Sequence, residues 1–106
     1  MKLKIKIQEE LKLKFNLGEV FITRGIDALM TESDDFLREL ADIGKRYRLC
    51  DWGYICNEDK VLNDEAVKSS TGRTLAAYET CKGKIWIITD FCPSRNITTI
   101  LLPEEY

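Results

Sequence analysis

Three groups of side chains in this sequence have the residue types and spacing to do chemistry. The first lies in the final third. Thr89 and Asp90 close one apolar run, Arg95 sits in the connection that follows, Thr98 and Thr99 open the next run, and Arg73 stands where an earlier run begins. If these runs are neighbouring antiparallel strands, the hairpin geometry brings the polar residues to one end of a sheet. Two guanidinium groups beside threonine hydroxyls suit an anionic ligand or a partner's carboxylate. An equally open reading has Asp90 and Arg95 merely locking the connection between strands.

The second group is Asp51-Trp52-Gly53-Tyr54, in a connector between helices. A tryptophan there either anchors the loop in the core or stands out as a hot spot for a partner. Anchoring is favoured for Trp52 by the size of its apolar surface. Trp86, inside the run Ile85-Trp86-Ile87-Ile88, is assigned to the core. The third group, Lys45-Arg46-Tyr47-Arg48, sets cations beside a ring after a helix, a composition that can grip phosphate or stack on a base. Cations also complement the dipole at a helix C-terminus, so a solvated helix end is the favoured reading.

Several chemistries find little support. The chain has no histidine, the commonest general base. Its acidic residues fall mainly at helix starts, where capping accounts for them. The glycines are scattered singly, with no phosphate-cradling loop. Cys50, Cys56, Cys81 and Cys92 lack the paired short hooks of common zinc sites and read as free thiols. No catalytic residue, metal or cofactor is therefore assigned.

The elements that must position these residues follow from periodicity. Leu3, Ile5, Ile7, Leu11, Leu13, Phe15 and Leu17 occupy odd positions with lysines between several of them, the period of a sheet with one wet face. Val20, Phe21 and Ile22 continue as another strand or as the tail of the same one. Ile26 to Met30 predicts a short helical turn. Ser33 caps a helix carrying Phe36, Leu37, Leu40, Ala41 and Ile43, which Gly44 is placed to end. Asn57 caps a second helix running to about Ser69. Thr74 to Tyr78, Ile85 to Thr89 and Ile97 to Leu102 then form three strands, with a hairpin turn at Lys82-Gly83. The expected class is α+β: a single antiparallel or mixed sheet with a C-terminal three-stranded meander and two main helices packed on one face. One domain spans residues 1–106, with residues 1–16 as an N-terminal β extension.

Composition bounds the rest. A chain of 106 residues with 44% apolar and 32% charged residues is that of an ordinary folded domain. A net charge of −2 points neither to a basic nucleic-acid binder nor to an acidic mimic. No apolar run approaches a membrane span, and the start MKLKIKIQEE is not a secretion signal, so the expected location is the cytoplasm.

The segments Asp51-Trp52-Gly53, Glu58-Asp59, Asn63-Asp64, Arg73, Tyr78, Ile85 to Thr89, Arg95 and Thr98 to Tyr106 occur in the order seen in a family of small plasmid- and phage-borne proteins, which this chain resembles over most of Leu17 to Tyr106. That family is usually described only as plasmid-related. The chain departs from its pattern in the longer connection Phe91-Cys92-Pro93-Ser94, and in lacking a histidine before the DWG segment. The resemblance implies a setting on a mobile genetic element. The expected function is a non-enzymatic inhibitor or modulator of a host defence system, of anti-CRISPR or anti-restriction type, binding a host protein or ribonucleoprotein. Asp51, Trp52, Tyr54, Glu104, Glu105 and Tyr106 are candidate contacts. Two alternatives remain. A sponge would hold a phosphate-bearing nucleotide on Arg73, Arg95, Thr98 and Thr99, with Trp52 or Tyr78 stacked on the base. An accessory DNA-binding protein would use Lys45, Arg46 and Arg48.

Overall fold

Strand-forming runs at the chain's end and helical stripes in its middle assemble as an α+β fold in the computed structural model, which describes residues 14–106. The order is β1 (Glu19–Ile22), α1 (Arg24–Glu32), α2 (Asp34–Arg48), α3 (Asn57–Ser69), β2 (Gly72–Thr80), β3 (Gly83–Phe91) and β4 (Ile97–Leu101), closed by a 3-10 turn at Pro103–Glu105. The strand expected over Leu3 to Leu13 lies outside the described residues. Residues 14–16, expected at the end of a β extension, are not strand. Lys14 N–H donates to the Arg48 carbonyl at 3.1 Å, and Phe15 packs between the rings of Tyr47, Trp52 and Phe91.

The sheet is mixed, with strand order β1-β4-β3-β2. β2, β3 and β4 form the antiparallel meander, in a register that sets Arg73 against Asp90, Thr74 against Thr89, and Thr89 against Thr98. β1 joins β4 in parallel, with Val20 beside Thr98 and Ile22 beside Ile100. A parallel neighbour needs a long crossover, and here the helices supply it.

The helices lie on one face of the sheet, and they are three rather than two. The stretch expected as a brief turn is a nine-residue helix, α1. Ser33 caps α2 as its spacing predicts, its hydroxyl accepting from Phe36 N–H at 3.1 Å. Gly44 does not end that helix. Phe36, Leu40, Ile43 and Tyr47 are all buried, so the stripe at helical spacing continues for another turn past the glycine. The stop comes at Cys50, which takes a left-handed φ of 64°. α3 begins at Asn57 itself; Cys56 holds the cap position without a side-chain bond.

The core joins Ile26, Phe36, Leu40, Ile43, Tyr47 and Trp52 to Ala76, Tyr78, Ile85 and Ile87. Through its centre runs a chain of buried hydroxyls. Thr98 Oγ1 donates to the Leu17 carbonyl at 2.7 Å. A hydroxyl has one hydrogen, so every other bond in the chain takes its direction from that one. Thr89 donates to Thr98 at 2.8 Å, Tyr47 to Thr89 at 2.6 Å, and Thr74 to Tyr47 at 2.7 Å. One phenol from α2 thereby bonds to β2 and β3, and Thr89 carries the chain on to β4. Burial pushes the Tyr47 pKa up to about 12.

The two edges of the sheet differ. On the outer edge of β2, the Asn63 side chain both accepts from Leu75 N–H (3.2 Å) and donates to its carbonyl (2.8 Å), as a neighbouring strand would. Two residues on, Tyr54 N–H donates to the Ala77 carbonyl at 2.8 Å and Ala77 N–H to the Trp52 carbonyl at 3.2 Å. Between them Gly53 sits at φ 74°, and any Cβ there would lie 2.0 Å from the Ala77 oxygen, so only glycine allows this approach. Among the described residues, nothing is bonded in the same way along the outer edge of β1.

Candidate functional site

In a strand, side chains alternate between faces, so the register assigns each residue a side. Thr74, Ala76, Tyr78, Ile85, Ile87, Thr89 and Thr98 point toward the helices. Leu75, Ala77, Trp86, Ile88, Thr99 and Leu101, together with Phe21 of β1, point to the opposite face. No described helix packs over that second face, yet its centre is apolar. Ala77, Ile88 and Leu101 are buried there, Trp86 and Leu75 are half-buried, and Phe21 is 51% exposed.

Ion pairs surround this apolar centre. Arg73 Nε lies 2.7 Å from Asp90 Oδ1, Lys84 Nζ 4.0 Å from Glu79 Oε1, and Arg95 Nη1 3.2 Å from Glu19 Oε1. Each is solvent-exposed and contributes at most about 1 kcal/mol to stability. Their effect is to make a polar rim, the anatomy of a protein-binding patch. Tyr106 lies on the same face. Its ring meets Trp86 edge-on at 5.6 Å, Arg73 Nη1 donates to its hydroxyl at 3.3 Å, and it remains 72% exposed. The bond to Asp90 holds the Arg73 guanidinium pKa above its ordinary value.

The remaining sequence candidates distribute as follows. Trp52 is 3% exposed and donates its indole N–H to Asp64 Oδ1 at 2.9 Å, so it is an anchor and not a surface contact. Asp51 accepts from Arg46 Nε at 2.8 Å and from Gly53 N–H at 3.2 Å. The Arg46 bond keeps its carboxyl pKa below the usual carboxylate range. Arg46 also lies 5.1 Å over the ring of Tyr78. Tyr78 itself is buried, its hydroxyl donating to the Asp51 carbonyl, which removes it as a stacking platform. Tyr54 is 73% exposed. Glu105 is tied down: its carboxylate accepts from the Thr23 hydroxyl, from Gly25 N–H at 2.9 Å and from Leu102 N–H at 2.9 Å. It thus caps α1 from the far end of the chain, and these bonds lower its pKa.

The cluster expected from the last strands divides. Thr98 is fully buried on the helix side, within the hydroxyl chain, whereas Thr99 faces the other way. Arg73 lies on β2 at one edge of the sheet and is taken up by Asp90; Arg95 pairs with Glu19 at the opposite edge. The two guanidiniums and two threonines do not line one cavity. Of that group, Arg73, Asp90 and Thr99 join the face away from the described helices, and Arg95 stands at its rim.

Trp86, assigned from sequence to the core, is half-buried on the face away from the described helices, beside the buried Ile88. The continuously apolar run Ile85-Trp86-Ile87-Ile88 is the pattern of a strand that packs on both faces. Among the described residues, no helix is long and apolar enough to cross a membrane. Comparison with protein-family models, with curated proteins and with solved structures finds no match to this chain.

Proposed function

We propose that this chain is a small non-enzymatic binding protein that docks on another protein through the face of its sheet that points away from the described helices. The observation that carries the reading is the Trp86–Tyr106 pair beside Arg73, in an apolar centre rimmed by ion pairs. Tryptophan, tyrosine and arginine are the residue types that dominate binding energy at protein interfaces. The motif segments that suggest a mobile-element family serve mainly to build this platform. Asp64 holds Trp52, Asn63 seals β2, Gly53 allows the loop to approach, and Glu105 fastens the tail so that Tyr106 reaches Trp86. Together with the resemblance, this favours an inhibitor or modulator of a host defence complex, working in the cytoplasm.

The nucleotide-sponge reading loses its main support with the division of Arg73 from Arg95. The test is capture of a specific partner from host lysate by the tagged full-length chain, compared with Trp86→Ala, Arg73→Ala and Leu37→Ala. Leu37 lies on α2, 43% exposed and away from the proposed face. Near-stoichiometric recovery lost in Trp86→Ala and Arg73→Ala but kept in Leu37→Ala is expected. Equal recovery by all four proteins would refute the assignment of the face.

A further inference from the structure

The sealed edge at β2 contrasts with β1, whose residues Val20, Phe21 and Ile22 are 49%, 51% and 40% exposed. Glu19 N–H and Thr23 N–H both donate toward β4, to the carbonyls of Asn96 (3.0 Å) and Ile100 (3.2 Å). Main-chain groups alternate in direction along a strand, so those of Val20 and Ile22 point outward from the sheet. Within its own four residues the strand has no lysine and no proline, two of the usual guards of an edge. Its one charge, Glu19, is already paired with Arg95.

We propose that β1 pairs antiparallel with β1 of a second copy of this chain, in a two-fold register centred on Phe21. That register is self-complementary. Val20 faces Ile22 of the other copy and Ile22 faces Val20, each pair exchanging both main-chain bonds, while the two Phe21 side chains meet on the face away from the described helices. Other in-phase registers pair fewer residues of this short strand. The charges also fit: each Glu19 falls opposite Thr23, next to Arg24 of the other copy, so no like charges meet across the seam. On the helix side Val20 borders a groove lined by Phe15, Leu17, Gly18 and Arg48, and the Ile22 of the second copy, opposite Val20, is aimed at it. The joined sheet has eight strands, twice the four of one copy, and the faces away from the described helices are continuous. A contact through a strand of 4 residues is small beside a stable protein interface, so the dimer is weak and concentration-dependent. The inference stands on β1 alone and does not require that the face away from the described helices bind a partner.

Sedimentation velocity on the full chain over a wide concentration range tests it, with Val20→Pro, Ile22→Lys and Trp86→Glu. Proline at position 20 removes an outward N–H and leaves the bonds to β4 in place. The wild type is expected to shift toward dimer as concentration rises. In Val20→Pro and Ile22→Lys, both checked for folding by circular dichroism, the dissociation constant is expected to rise at least ~10-fold, with little change in Trp86→Glu. A wild type monomeric throughout, including one whose Val20 and Ile22 amides are protected from hydrogen exchange by other residues of the same chain, overturns the proposal. So does a dimer unaffected by both edge variants, or one lost in Trp86→Glu alone.

Discussion

The buried hydroxyl chain makes a graded prediction that a simple count of hydrogen bonds does not. Because Thr98 gives its hydrogen to the Leu17 carbonyl, the order of donation is Thr74 to Tyr47, Tyr47 to Thr89, and Thr89 to Thr98. Thr74 and Thr89 are both fully buried and differ only in their place in the chain. Thr74→Val removes the first donor and leaves Tyr47 still donating, so it loses one bond, about 1 kcal/mol. Thr89→Val removes the acceptor for Tyr47 and the donor to Thr98, and strands the phenol hydrogen in the core. Two bonds and one unsatisfied buried donor come to about 3 kcal/mol or more. Valine matches threonine in shape, so packing is nearly constant between the two variants. Urea unfolding reads the difference: with a slope of ~1–2 kcal/mol/M, the midpoint should fall by under ~1 M for Thr74→Val and by about 2 M for Thr89→Val. Equal losses, or a larger loss for Thr74→Val, would refute the assigned direction.

Other expectations follow from single contacts. Tyr47 has a folded pKa of about 12 against 10.0 for an ordinary tyrosine, so its contribution is fully present below pH 10 and is lost as pH rises toward 12. The gap corresponds to about 3 kcal/mol, and alkaline unfolding followed by circular dichroism should be shallower in Tyr47→Phe. Gly44 lies inside α2 with open space around a new Cβ, so Gly44→Ala should stabilise by about 1 kcal/mol in thermal or urea unfolding. Gly53→Ala meets the Ala77 oxygen at a left-handed φ and should destabilise by about 3 kcal/mol or more, measured the same way. The lowered pKa of Glu105 means that its contribution is present above the ordinary value of 4.5 and is lost as pH falls through the folded pKa. Acid should therefore free the tail before the core unfolds, which the Trp86 indole resonance would report through loss of the Tyr106 ring.

The meander was legible because β-branched runs and turn residues act locally, and Thr74 to Tyr78, Ile85 to Thr89 and Ile97 to Leu102 each fall on an observed strand. Ser33 was legible for the same reason. Gly44 misled because a solvent-facing glycine need not stop a helix whose next apolar residue, Tyr47, is buried. The parallel pairing of β1 depends on contacts across most of the chain, and no local pattern encodes it. For the site, adjacent residues on a strand face opposite ways, so Thr98 and Thr99 could not share a cavity. The separation of Arg73 from Arg95 follows from the strand order, which periodicity does not reveal. Trp52, read as an anchor in preference to a contact, is buried, and its partner Asp64 became visible only in three dimensions.

Photo-cross-linking from the sheet itself tests the proposed docking surface most directly. A photoreactive residue placed at Thr99, on the face away from the described helices, and another at Lys45, exposed on α2, would be activated in host lysate. Binding through that face requires one specific protein adduct from position 99 that Trp86→Ala abolishes, and none from position 45. A specific adduct from position 45, or one at position 99 that survives Trp86→Ala, would contradict it.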